Sequence, residues 1–107
     1  TPHIPSYLYL IHHHSHHSLK VGVGNFGRKN DRLSVHLSRG WRVIDTWHFL
    51  TADDAIEIEK KFINWIRKEK NLVPSVNRRH MPQGGHSETF VDTLPINEIK
   101  FNNIAFF

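Results

Sequence analysis

With 107 residues the chain is long enough for one compact domain and too short for two that each bury a core, so residues 1–107 are read as a single unit. Apolar types supply 38% and charged types 22%, the longest apolar run, Tyr7 to Ile11, falls far short of the roughly 20 residues of a membrane-spanning helix, and the absence of cysteine excludes disulfides, thiol chemistry and cysteine zinc sites. Fourteen Lys and Arg against ten Asp and Glu leave +4 with the ten His neutral, a balance that fits a polyanionic partner such as nucleic acid.

Ser6 to Ile11 and Leu19 to Gly24 are rich in aromatic and β-branched residues and predict two strands joined as a hairpin through the His and Ser residues 12–18. Gly22 and Gly24 admit a close backbone or ligand, or a bulge, and Asn25 to Lys29 reads as a polar loop. Asn30 or Asp31 caps a short helix that carries Leu33 and Leu37 one turn apart and stops at Gly40. Trp41 to Leu50 predicts a third strand. Thr51, with Asp54 three positions on, opens the strongest helix, Ala52 to about Lys70. Its apolar positions Ala55, Ile58, Phe62, Ile63 and Ile66 keep the 3.6-residue period, and Trp65 widens the stripe. Asn77 to Gly85 reads as a basic loop, Ser87 to Val91 as a short strand, and Pro95 opens a last helix toward Ala105. The expected fold is α+β, a small central antiparallel sheet of about three strands flanked by helices, with a ββαβα core and a C-terminal tail.

Polar residues that periodicity points toward the core carry the functional signal. Helical spacing places Glu59 in one stripe with Ala55, Phe62 and Ile66. Arg32 and His36 lie one turn apart beside Leu33 and Leu37, and alternation puts Lys20 on one strand face with Gly22 and Gly24. Tyr9 sits between Leu8 and Leu10 in the partner strand. Together these residues offer a proton acceptor, two cations for phosphate oxygens and one carboxylate for a divalent metal, the kit for phosphodiester hydrolysis. A purely structural role competes with each: an Arg32–Glu59 ion pair that only fixes orientation, and a Lys20 that snorkels on an exposed face.

In this order and spacing the residues resemble the GIY-YIG endonuclease superfamily over nearly the whole chain. Tyr7-Leu8-Tyr9 is similar to the first strand signature and Lys20-Val21-Gly22 to the second, with Tyr7 in place of the family's glycine and Lys20 in place of its tyrosine. Arg32 and His36 match the helix arginine and the His or Tyr one turn later, and Glu59 matches the metal-binding glutamate on the helix after the third strand. Ser87 to Phe90 is similar to a Glu-x-Phe element of some phage and restriction-type branches, and Asn102 and Asn103 are candidates for a late asparagine.

The resemblance implies a metal-dependent DNA endonuclease, a hydrolase in which Glu59 holds Mg²⁺ or Mn²⁺ against the scissile phosphate. Arg32 would stabilise charge on the phosphoryl oxygens, Tyr9 or His36 would take the proton from the attacking water, and Lys20 would lower that base's pKa or contact the phosphate. Lys20, Arg28, Lys29, Arg78 and Arg79 are the expected phosphate contacts, with a plain solvated loop as the competing reading for Arg78 and Arg79. Further domains or subunits would supply sequence specificity, since the chain opens at Thr1 without a methionine and carries no helix-turn-helix or zinc finger. A catalytically inactive nucleic-acid-binding module on the same fold is the alternative. The histidines of 12–17 suggest a solvated turn before a metal site, and Glu88 either braces the site or caps a turn. Lack of cysteine and of a charged-then-apolar leader points to the cytoplasm.

Overall fold

The computed structural model describes residues 5–26 and 32–94. Within them the chain forms β1 (Ser6–His13), β2 (Ser18–Asn25), α1 (Arg32–Ser38), β3 (Arg42–Phe49), α2 (Ala52–Lys68) and β4 (Thr89–Val91), with short 3-10 turns at Arg78–His80 and His86–Glu88. The strands build one sheet in the order β3-β1-β2-β4, and every neighbouring pair is antiparallel. The class is the α+β arrangement expected, with four strands instead of three, because Thr89–Val91 adds itself to the free edge of β2. The helix expected from Pro95, the cap at Asn30 or Asp31, and the candidates Arg28, Lys29, Asn102 and Asn103 lie outside the described residues.

The hairpin is longer than its sequence suggests. His12 and His13 continue β1, opposite Leu19 and Ser18, so the turn is confined to residues 14–17, where His17 takes a left-handed φ of 48°. Imidazoles have little preference for strands, but the ladder decides pairing in context. His12 Nε2 lies 2.9 Å from Asp92 Oδ2, just beyond β4, which ties this end of the hairpin to the far edge of the sheet.

Central β1 is buried on both faces, and alternation sorts its side chains into two cores. Leu8 and Leu10 join Leu19, Val21, Phe62, Ile66 and Phe90 under α2. Tyr7, Tyr9 and Ile11 join Trp41, Val76 and Met81 on the other face, with Leu33 of α1 packed against them. Phe62 has no exposed surface and meets Phe90 edge-on at 5.7 Å, so truncating it to alanine would cost about 3–5 kcal/mol.

Local signals explain both helices. The Thr51 side chain accepts a hydrogen bond from Asp54 N at 3.3 Å and caps α2, and Ala55, Phe62 and Ile66 form its buried stripe. In α1 the buried residue is His36, whereas Leu37 is 41% exposed. The core stripe of this seven-residue helix therefore runs Leu33–His36, not Leu33–Leu37 as the apolar pattern predicts. Gly40 ends the segment at φ 97°, the left-handed stop expected there. None of the helices among the described residues is long and apolar enough to cross a membrane.

Candidate active site

The two helices occupy opposite faces of the sheet, so their polar residues meet only where the sheet is incomplete. β4 pairs with Ser18, Leu19 and Lys20 of β2 and goes no further. Beyond Lys20, Gly22 and Val23 border a cleft of about 190 Å³ in which Tyr9, Lys20, Arg32 and Glu59 come together, joined by Glu88. These four come from β1, β2, α1 and α2.

Tyr9 is 1% exposed and stands directly opposite Gly22. A Cβ on that glycine would overlap the phenol ring and its oxygen. The space left by Gly22 and Gly24 is thus filled by Tyr9 and Tyr7, and the hydroxyl of Tyr9 reaches the cleft. Burial raises the Tyr9 pKa above its ordinary value, and the Glu59 carboxylate adds to this while Arg32 opposes it.

Lys20 is not the exposed, snorkelling lysine that competed with its functional reading: it is 2% exposed. Its Nζ donates to Val21 O at 3.1 Å and lies 3.9 Å from Glu88 Oε2. Burial pulls the ammonium below its usual value, while Glu88 and Glu59 hold it up.

Glu59 is half-buried beside Phe62, and among the described residues its carboxylate has neither a hydrogen bond nor an ion pair. No Arg32–Glu59 bridge within 4 Å accounts for it, and the exposed Arg32 guanidinium is likewise unpaired among those residues. Burial raises Glu59 to about 6, against the pull of Lys20 and Arg32 and with the help of Glu88. A carboxylate whose oxygens have no partner among the described residues, in a polar cleft, suits a hard divalent cation that keeps most of its waters.

His36 lies behind Tyr9, its ring 6.3 Å from the phenol ring and 6.3 Å from Trp41. The Gln83 side-chain amide lies 3.3 Å from Nδ1, and the other ring nitrogen, Nε2, is buried with no partner among the described residues. Burial, with Lys20 and Arg32 nearby, lowers its pKa to about 4, so the ring is neutral at pH 7.

Arg78 and Arg79 are exposed on their 3-10 turn and lie outside this cleft. The histidines of 12–17 contact one another and residues of neighbouring segments. His13 Nε2 bonds Arg39 O at 3.0 Å, the rings of His13 and His16 are 4.1 Å apart, and His16 stacks on His80 at 5.9 Å. Among the described residues no three His, Cys, Asp or Glu are grouped to hold a metal.

Glu88, which sequence left between brace and turn cap, faces the cleft from the second 3-10 turn. Gln83 and Arg67 carried no sequence signal, because their partners are backbone carbonyls and a ring nitrogen brought together only by folding. The Gly84–Gly85 pair did carry one: both have left-handed φ, 91° and 92°, and Gly85 passes so close to Lys20 that a Cβ would fall 2.6 Å from Lys20 Cε. Comparison with protein-family models, curated proteins and solved structures finds no match for the chain.

Proposed function

We propose that this chain is a divalent-metal-dependent DNA endonuclease domain of the GIY-YIG type. The observation that carries the reading is the convergence of Tyr9, Lys20, Arg32 and Glu59 from four separate elements on one polar cleft, with Glu59 and Arg32 unpaired among the described residues.

Glu59 would hold Mg²⁺ or Mn²⁺, which when bound polarises the phosphoryl oxygen and acidifies water. Arg32 donates to the non-bridging oxygens as charge grows on them, and Lys20 approaches the same phosphate from β2. Tyr9 presents its hydroxyl to the attacking water. Because the Glu59 charge helps keep the phenol protonated, neutralising that charge moves Tyr9 toward the phenolate that accepts a proton. His36 is neutral but buried without an opening to the cleft, so position favours Tyr9 as the base. DNA is the partner, with specificity supplied by further domains or subunits, and the location is cytoplasmic.

A second reading, a nucleic-acid-binding module without catalysis, is favoured by the raised Tyr9 phenol, which leaves no ready base at neutral pH. Plasmid nicking separates the two. Nicking that needs Mg²⁺ or Mn²⁺, stops with EDTA and is lost in a folded Glu59→Gln variant supports the nuclease. DNA retention without nicking supports the binding module, and neither activity removes both.

A further inference from the structure

We propose that Glu88 is a positioning residue for Lys20, a carboxylate fixed by α2 that holds the buried ammonium charged and aimed into the cleft. This rests on the nuclease reading of the cleft and extends it to a residue outside the four that define it. An ammonium has three donors. One goes to Val21 O at 3.1 Å and one faces Glu88 Oε2 at 3.9 Å, which leaves the third for a phosphate oxygen. The Glu88 contact is close enough to favour the cation and loose enough for an incoming phosphate to share it.

The placement of Glu88 is built rather than incidental. Arg67 of α2 reaches across and donates from Nη2 to Ser87 O at 2.6 Å and Thr89 O at 2.8 Å, clamping the backbone on both sides of Glu88. Its Nη1 donates to Leu72 O at 2.8 Å, which anchors the clamp. Thr89 Oγ1 donates to His86 O at 2.6 Å and accepts from Ser75 N and Val76 N, so the turn is tied to the preceding loop as well. Ser87 Oγ donates at 2.8 Å to Glu88 Oε2, the oxygen that faces Lys20. On the other side, Gly85, left-handed at φ 92°, runs so near the lysine stem that a side chain there would overlap it. The remaining groups around Lys20 are Glu59 on α2, Arg32 and His36 on α1, and Tyr9 on β1. Arg32 opposes the lysine charge and Glu59 supports it, but Glu88 makes the largest favourable contribution.

The test is the titration of Lys20, followed by NMR of labelled lysine side chains and assigned with Lys20→Arg, in the parent, Glu88→Gln and Glu88→Asp. Glu88→Gln keeps a group able to accept from Ser87 and removes only the charge. The midpoint should fall by about one pH unit or more in Glu88→Gln and recover toward the parent in Glu88→Asp. The alkaline limb of the single-turnover cleavage profile should move down with it, giving roughly ten-fold slower cleavage where Lys20 has lost its proton. An unchanged midpoint in folded Glu88→Gln overturns the proposal. A shifted midpoint in a chain that never cleaves DNA keeps the Lys20–Glu88 assignment and removes the nuclease reading instead.

Discussion

Tyr9 and Gly22 face each other across β1 and β2, and the phenol lies over the glycine so closely that no side chain fits there. Lys20-Val21-Gly22 is therefore a steric counterpart of Tyr7-Leu8-Tyr9: the glycine sets where the tyrosine hydroxyl sits in the cleft.

Gly22→Ala should push the Tyr9 ring out of place and slow single-turnover cleavage about 100-fold, the scale expected for an ångström-sized misplacement of a reacting group. Gly24→Ala is the control, since it displaces Tyr7, which does not line the cleft. Equal rate losses in the two variants would mean that both act through stability alone, which urea melts measure directly.

Arg32→Ala should lower the single-turnover rate by about 100-fold or more, as removal of one preorganised donor does, while DNA affinity changes by far less. The guanidinium is exposed and has no partner among the described residues to strand on its removal, so folding should be unaffected. A loss seen only as weaker binding in gel shifts would move Arg32 from the reaction to the DNA-binding surface.

The pH dependence of stability contains two opposing contributions. Glu59 is raised from its ordinary 4.5 to about 6 in the fold, so its contribution is full below pH 4.5 and is lost as pH rises through 6. His36 is lowered from 6.5 to about 4, so its contribution is full above pH 6.5 and is lost as pH falls through 4. Between pH 4.5 and 6 the two partly cancel, each pKa unit being worth about 1.4 kcal/mol. Glu59→Gln should make stability climb more steeply with pH across this window, and His36→Gln should make it decline relative to the parent. Urea midpoints at pH 4.5, 5.5 and 6.5 check both signs; slopes identical to the parent's would show that neither group titrates as its surroundings dictate.

Binding to DNA should be weak, salt-sensitive and nearly indifferent to sequence, because exposed cations such as Arg78 and Arg79 meet phosphates and do not read bases. Replacing both with alanine should reduce the slope of log affinity against log salt by about 1 to 2, close to one released counterion per lost contact. Anisotropy titrations on unrelated duplexes over a salt series measure this. Tight, salt-tolerant binding to one duplex would contradict it.

The local chemistry of the chain determined α2 and the first hairpin. Thr51 caps, the Ala55–Glu59–Phe62–Ile66 stripe repeats at the helical period, and two aromatic, branched segments flank a polar turn. Those signals also singled out Tyr9, Lys20, Arg32 and Glu59, since each is a polar group at a position where its own element is otherwise apolar or constrained. Tertiary structure decided the rest, because it depended on partners distant in sequence. His12 and His13 became strand through the ladder to β2 and the Asp92 contact, and His36 displaced Leu37 from the core because Trp41, Tyr9 and Gln83 close around it. The helices lie on opposite faces, so their polar residues could meet only because β4 stops opposite Lys20 and no other strand among the described residues continues along that edge of β2. Periodicity within a segment shows which side of an element is buried, but not where a neighbouring strand stops, and here that stopping point makes the cleft.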